Sequence, residues 1–145
     1  MIISADHVGF SVKSIEVSLY FWTSVLGGNL LRRVEMSGPV IDEVTGARGA
    51  DVQMAMIELA GIKIELLQYN NIELPDAPSP PYNPGYAHLA LKVSNLDELL
   101  HRVSVCGWKT PGEPQKISAG PLQGTRVIYV QSPDGQTLEF MEEIN

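Results

Sequence analysis

Two histidines and two glutamates stand in settings that simple solvation does not explain. His7 lies in DHVGFSV and His88 in AHLALKV, while Glu65 lies in GIKIELLQY and Glu139 in GQTLEFMEE. An ionised carboxylate among Ile62, Ile64, Leu66 and Leu67 costs several kcal/mol unless it is paired. Imidazole nitrogens and carboxylate oxygens are donors that divalent metals accept, and a set of two each leaves positions for water or substrate. Zn, Ni, Co, Mn and Fe all suit such a set, and ligand type does not rank them.

The four residues occupy matched places in an internal duplication. When Asp6 to Gly28 is laid over Ala87 to Trp108, His7 falls on His88, Val12 on Val93, Ser14 on Asn95 and Ile15 on Leu96. When Gly61 to Tyr69 is laid over Gly135 to Glu143, Gly61 meets Gly135 and Glu65 meets Glu139 at one offset. Each copy therefore carries a histidine near its start and a glutamate near its end.

Hydrophobic periodicity predicts which elements position them. HVGFSV and HLALKV alternate, with Val8, Phe10 and Val12, or Leu89, Leu91 and Val93, opposite the histidine. Ser14 is the expected N-cap of a helix over Ile15 to Leu26, and Asn95 or Ser94 of one over Leu96 to Cys106. Gly27 and Gly107 are the expected helix stops. Three strands should follow in each copy: Asn29 to Met36, Ala50 to Leu59 and Lys63 to Tyr69, then Lys109 to Lys116, Thr125 to Gln131 and Thr137 to Glu142. AGI and PDGQ have the composition of tight turns.

The organisation expected is thus one α+β domain over 1–145, made of two tandem βαβββ modules at 4–69 and 86–143. A Pro-rich, extended linker at 70–85 should join them. Ser37 to Gly49 and Ile117 to Gly124 read as loops. The apolar faces of the strands should pack on the helices, leaving each module's His and Glu on the opposite face. Were the two sheets to join side by side, all four donors would converge in a curved trough. Strand parity points Gln53 and Tyr129 into the same trough as lesser substrate contacts. Lys63 and Lys92 are candidates for an anionic substrate group. His101, mid-helix and unmatched in the repeat, reads as a surface residue.

Composition sets the outer bounds. The chain has 145 residues, 44% of them hydrophobic and 19% charged, as expected of a globular protein. A net charge of −7 argues against a nucleic acid or an anionic membrane as partner. The single Cys106 cannot form an intrachain disulfide and reads as a helix-end core residue. With no signal-peptide pattern and no apolar run of about 20 residues, a cytoplasmic protein is expected.

These duplicated units, opened by DHVGF and AHLAL and closed by KIELLQY and PDGQTLEFME, resemble the vicinal oxygen chelate superfamily from about Asp6 to Glu143. The resemblance implies an eight-stranded, open barrel-like cleft around one divalent metal, with His7, Glu65, His88 and Glu139 as its ligands. It implies a small-molecule substrate bound through vicinal oxygens, and a homodimer whose sites lie within one chain or across two. A fourth protein ligand is similar to glyoxalase I and methylmalonyl-CoA epimerase. The segments EVTGARGADVQMAMIEL and AGPLQGTRVIYVQSPDGQTLEF are similar to epi-valiolone epimerases. These chemistries abstract a proton beside a chelated carbonyl through an enediolate, with Glu65 and Glu139 as the catalytic base and its counterpart. Iron-dependent extradiol dioxygenases, which use two histidines and one carboxylate, are the alternative, and a small-molecule binding or resistance module is a second.

Overall fold

A computed structural model describes residues 1–74 and 79–143. The chain forms two compact units, Met1–Pro75 and Asp76–Asn145.

The first unit begins with strand β1 (Val8–Ser11), followed by helix α1 (Ile15–Tyr20), which runs into a π-helical turn over Phe21–Val25. Ser14 caps α1 through its side chain, which accepts from the Val17 amide. The apolar face of α1 and the π turn buries Ile15, Leu19, Phe21, Trp22 and Val25, and Phe10 of β1 stacks on Trp22 at 5.5 Å between ring centroids. Gly27 then takes φ 82°, the left-handed stop that a β-carbon would strain. Strands β2 (Asn29–Met36), β3 (Asp51–Leu59) and β4 (Ile62–Asn70) complete a sheet of order β1-β4-β3-β2. β3 and β4 turn at Ala60 and Gly61, both at positive φ, as hairpin chemistry requires.

The second unit repeats this plan. Strand β5 (Leu89–Lys92) leads to helix α3 (Leu96–Val105), capped by Asn95, and strands β6 (Gln115–Lys116), β7 (Arg126–Gln131) and β8 (Thr137–Glu142) form a sheet of order β5-β8-β7-β6. Its core is Leu96, Val103, Trp108, Ile128, Val130, Leu138 and Phe140, all buried. In both units the first strand lies parallel to the last, with equivalent register: Gly9 opposite Glu65, and Ala90 opposite Glu139.

A second repeated contact ties helix to sheet. The Ile15 amide donates to Gln68 Oε1 at 2.7 Å, and the Leu96 amide to Glu142 Oε1 at 2.9 Å. Each bond satisfies one of the amides that a helix leaves unpaired at its start. Each acceptor also sits three residues beyond the glutamate of interest, so the helix is anchored to the strand that carries it. Glu142 further accepts from Arg126 at 3.0 Å, and Arg126 in turn reaches Asp97 on α3 at 2.6 Å.

Several sequence expectations need correction. Ser37 to Gly49 is not all loop: Pro39–Thr45 is a helix, α2, begun by proline at its first turn and stopped at Gly46 with φ 75°. No residue of α2 is buried, so apolar periodicity gave no sign of it. The strand expected over Lys109 to Lys116 is reduced to Gln115–Lys116 plus an isolated bridge between Lys109 and Gln131, because Pro111 and Pro114 cannot donate to a ladder. The first helix ends as α-helix at Tyr20 and continues as a π turn, marked by the Leu26 amide bonding to Phe21 O. Val8 is 41% exposed rather than packed. Cys106 sits half-buried at the C-cap of α3 rather than in the core, whereas His101 is exposed, as expected. The linker does not begin at Asn70, which ends β4; Pro75 to Pro78 lie outside the described residues, and 81–85 form turns.

Loss of the Glu142 acceptor should leave the Leu96 amide without a partner and Arg126 with Asp97 alone. Glu142→Ala is expected to cost about 1–3 kcal/mol in urea unfolding. Glu142→Gln should cost clearly less, since Gln68 does the same work in the first unit.

Candidate metal centre

The parallel pairing of β1 with β4, and of β5 with β8, sets a histidine just before one strand beside a glutamate on its neighbour. His7 Nε2 lies 3.2 Å from Glu65 Oε2, and His88 Nε2 lies 3.2 Å from Glu139 Oε2. The side chains are alike in exposure too: 35% and 18% for the first pair, 39% and 20% for the second. Each glutamate is thus sheltered but reachable, and each histidine offers the same nitrogen. Glu65, the carboxylate among aliphatic residues, has its partner in His7.

The donor spacing fits a shared divalent ion. Metal–ligand bonds of about 2.1 Å separate adjacent donors by about 3.0 Å at right angles and about 3.4 Å at the tetrahedral angle. The observed 3.2 Å lies between the two. Among the described residues no three His, Cys, Asp or Glu side chains gather as one cage. The structure therefore presents the four donors as two matched pairs.

The surroundings of the two pairs differ. His7 Nδ1 is 2.8 Å from Asp6 Oδ2, and Asp6 Oδ1 accepts from Lys63 Nζ at 3.2 Å. The bond to His7, followed by the Lys63 contacts, holds the Asp6 carboxyl below its usual range. A carboxylate on Nδ1 orients the ring and leaves Nε2 free to ligate. Asp6 was missed in the sequence reading, although its place directly before His7 was a signal. Its counterpart before His88 is Ala87. There the ring is instead met by Tyr129, whose hydroxyl lies 3.2 Å and 3.3 Å from the two ring nitrogens and whose ring centroid is 4.7 Å away. Burial first, and the charge of Glu139 second, raise the Tyr129 phenol above its ordinary value. It stays protonated at neutral pH and can donate. Tyr69 is raised likewise, by burial and then Glu65.

Register decides the remaining candidates. Tyr129 pairs with Glu139 and shares its face, as expected. Gln53 pairs with Gln68, two registers along the same face from Ala55 and Leu66, and so lies on the helix side of the sheet, away from Glu65. The parity expected for Gln53 was wrong because Met54, Ala55, Met56 and Ile57 are all buried, so β3 shows no polar face from which to read it. Lys63 and Lys92 lie on the glutamate faces, but Lys63 is paired with Asp6 and Lys92 with Glu143. Neither is a free counter-charge.

Asp6→Ala should weaken divalent-metal binding about 10–100-fold in a chelator competition, the usual cost of removing the group that orients a ligand histidine. Asp6→Asn, which keeps an acceptor, should lose less.

Comparison with known proteins bears on the family and the fold. The family model for the Glyoxalase/Bleomycin resistance protein/Dioxygenase superfamily matches residues 4–140. A lactoylglutathione lyase of Salmonella typhimurium is 30% identical over 139 residues, covering 94% of this chain and 90% of that one. A 2-epi-5-epi-valiolone epimerase of an Actinomyces species is 26% identical, covering 96% and 79%. Among solved structures, a glyoxalase family protein of Bacillus cereus superposes with a TM-score of 0.83 at 23% identity, over 100% of this chain and 97% of that one. The fosfomycin resistance protein FosX of Mesorhizobium loti gives 0.62 at 19%, over 97% and 91%.

Proposed function

The chain belongs to the glyoxalase/bleomycin resistance/dioxygenase superfamily, and from that premise we propose that it is a divalent-metal-dependent isomerase, epimerase or lyase that moves a proton beside a carbonyl. The observation that carries this reading is the duplication of one His–Glu pair at one spacing in both units. His7, Glu65, His88 and Glu139 would hold the ion, with both pairs contributing. A complete site then needs one pair of each kind, drawn from one chain or from two copies in a homodimer. The relatives named as lyases and an epimerase support the reaction class.

When bound, the ion supplies a Lewis acid for two neighbouring substrate oxygens. The chain's own residues do the rest. One of Glu65 and Glu139 takes the proton from the carbon next to the carbonyl, and the other, or water, returns it. Return to the opposite face is epimerisation, and return to the adjacent carbon is the isomerisation of a lyase of the lactoylglutathione kind. The exposures of both carboxylates, 18% and 20%, leave room for a substrate to approach while limiting competing water. Asp6 keeps His7 in the tautomer that ligates through Nε2, and the Tyr129 hydroxyl is placed to donate beside His88. Glu65 is the donor that separates this reading from a dioxygenase, whose two-histidine, one-carboxylate set would leave it unused.

Four measurements test the proposal. Metal analysis should find about one divalent ion per set of four donors, lost in the His7→Ala, His88→Ala double variant; full occupancy in that variant rules out the site. Glu65→Gln and Glu139→Gln each keep an oxygen donor and remove the base. Solvent deuterium exchange into α-hydroxyketones, α-hydroxythioesters or 2-oxoaldehyde–thiol adducts should fall at least about 100-fold in one of them, the usual scale of acid–base catalysis. Wild-type exchange in both refutes the carboxylate base. Oxygen uptake with catechols and ferrous iron would transfer the protein to the dioxygenase class. Light scattering should show a dimer at micromolar concentration.

A further inference from the structure

The second unit contains a cavity of about 440 Å³ lined by, among others, Lys109, Thr110, Tyr129, Gln131, Ser132 and Thr137. That volume falls in the range of small-molecule sites, about 300–1,000 Å³. Register puts Tyr129, Gln131, Thr137 and Glu139 on one face of the sheet, since Tyr129 is opposite Glu139 and Gln131 opposite Thr137. Tyr129 links the cavity to the His88–Glu139 pair: its hydroxyl is at His88, and its side chain lines the hollow on the face that carries Glu139.

In a chain of net charge −7, an anionic ligand needs a local cation that is not already neutralised. Lys63 and Lys92, the lysines on the glutamate faces, are spent on Asp6 and Glu143, and Arg126 is spent on Asp97 and Glu142. Lys109 lines the cavity, and its ammonium forms no ion pair among the described residues. Its backbone is held firmly, by amide bonds of 2.9 Å and 2.8 Å exchanged with Gln131. Gln131 is itself braced, its Nε2 donating to Ser79 O at 3.2 Å. The Ser132 hydroxyl is committed to Asp134 Oδ1 at 2.6 Å; a braced strand, a lysine with no acidic partner among the described residues, and the hydroxyls of Thr110 and Thr137 are the parts of an oxyanion-binding pocket.

We propose that this cavity is the subsite for an anionic arm of the substrate, a carboxylate or phosphate group, with Lys109 as its counter-charge and Tyr129 marking the passage to the reacting end. The inference deepens the reaction assigned above and rests on it for the word substrate. The pocket itself can be tested without metal or turnover, so the two can fail separately.

The test is an amide NMR titration of the metal-free protein with succinate, inorganic phosphate and, as an uncharged control, 1,4-butanediol. Saturable shifts at Lys109, Thr110, Tyr129, Gln131 and Thr137 are expected with at least one anion and none with the diol, with a Kd in the millimolar range ordinary for a fragment. Succinate alone identifies a carboxylate arm, phosphate alone a phosphate arm, and binding of both a pocket for either. Lys109→Met should weaken the anion about tenfold or more, whereas Lys116→Met, outside the cavity lining, should not. Three results overturn the proposal: no saturable shift up to about 20 mM anion, equal shifts with the diol, or unchanged binding in Lys109→Met. Retained wild-type shifts elsewhere in the Lys109→Met spectrum will show that the variant is folded.

Discussion

The constraint on which the rest depends is the parallel pairing of a short first strand with the last strand of its own unit. A hairpin could have joined neighbouring strands cheaply, but parallel neighbours require a crossover, and here it is a helix and two further strands. The result is that a histidine at the mouth of β1 or β5 meets a glutamate from the far end of the unit's sequence. The 3.2 Å contact is made twice with the same atoms. It gives each sheltered carboxylate a partner, and it leaves two donors side by side at a spacing that a divalent ion can bridge.

Holding such a pair requires both strands to be fixed in register. Burial of Ile64 and Leu66, or Leu138 and Phe140, pins one face of the last strand in the core, where a slip of one residue would turn every side chain over. The bond from the helix's first amide to Gln68 or Glu142 adds a second, directional constraint. The helix thus reports on the position of the same strand that presents the glutamate, and the site is tied to the core rather than to a loop.

Duplication has kept this frame while the surroundings have diverged. In the first unit a carboxylate, Asp6, steadies the histidine, itself balanced by Lys63. In the second, Ala87 replaces it, and Tyr129 stands where Met56 faces Glu65 in the first. The first unit is therefore built to position its histidine, and the second to place a hydroxyl and a cavity beside its own. A two-fold repeat that had to act on an asymmetric substrate would benefit from that division.

Much of this was legible in the residues themselves. Alternation in HVGFSV and TLEFME, glycine stops at Gly27 and Gly107, and the matched His and Glu positions determined the two units, most element boundaries and the residues of the two His–Glu pairs, because period and turn chemistry are local. What was not local could not be read. Two misses were local all the same: Pro111 and Pro114 cut short a strand whose pattern looked continuous, and α2 formed between a proline start and a glycine stop without an apolar stripe. Gln53 turned away from the site because β3 is buried on both faces, and only its pairing with β4 says which face is which. The neutralisation of Lys63 and Lys92, and the lack of an ion pair at Lys109 among the described residues, were decided by tertiary structure alone, since charges distant in sequence become partners only when the sheet brings them together.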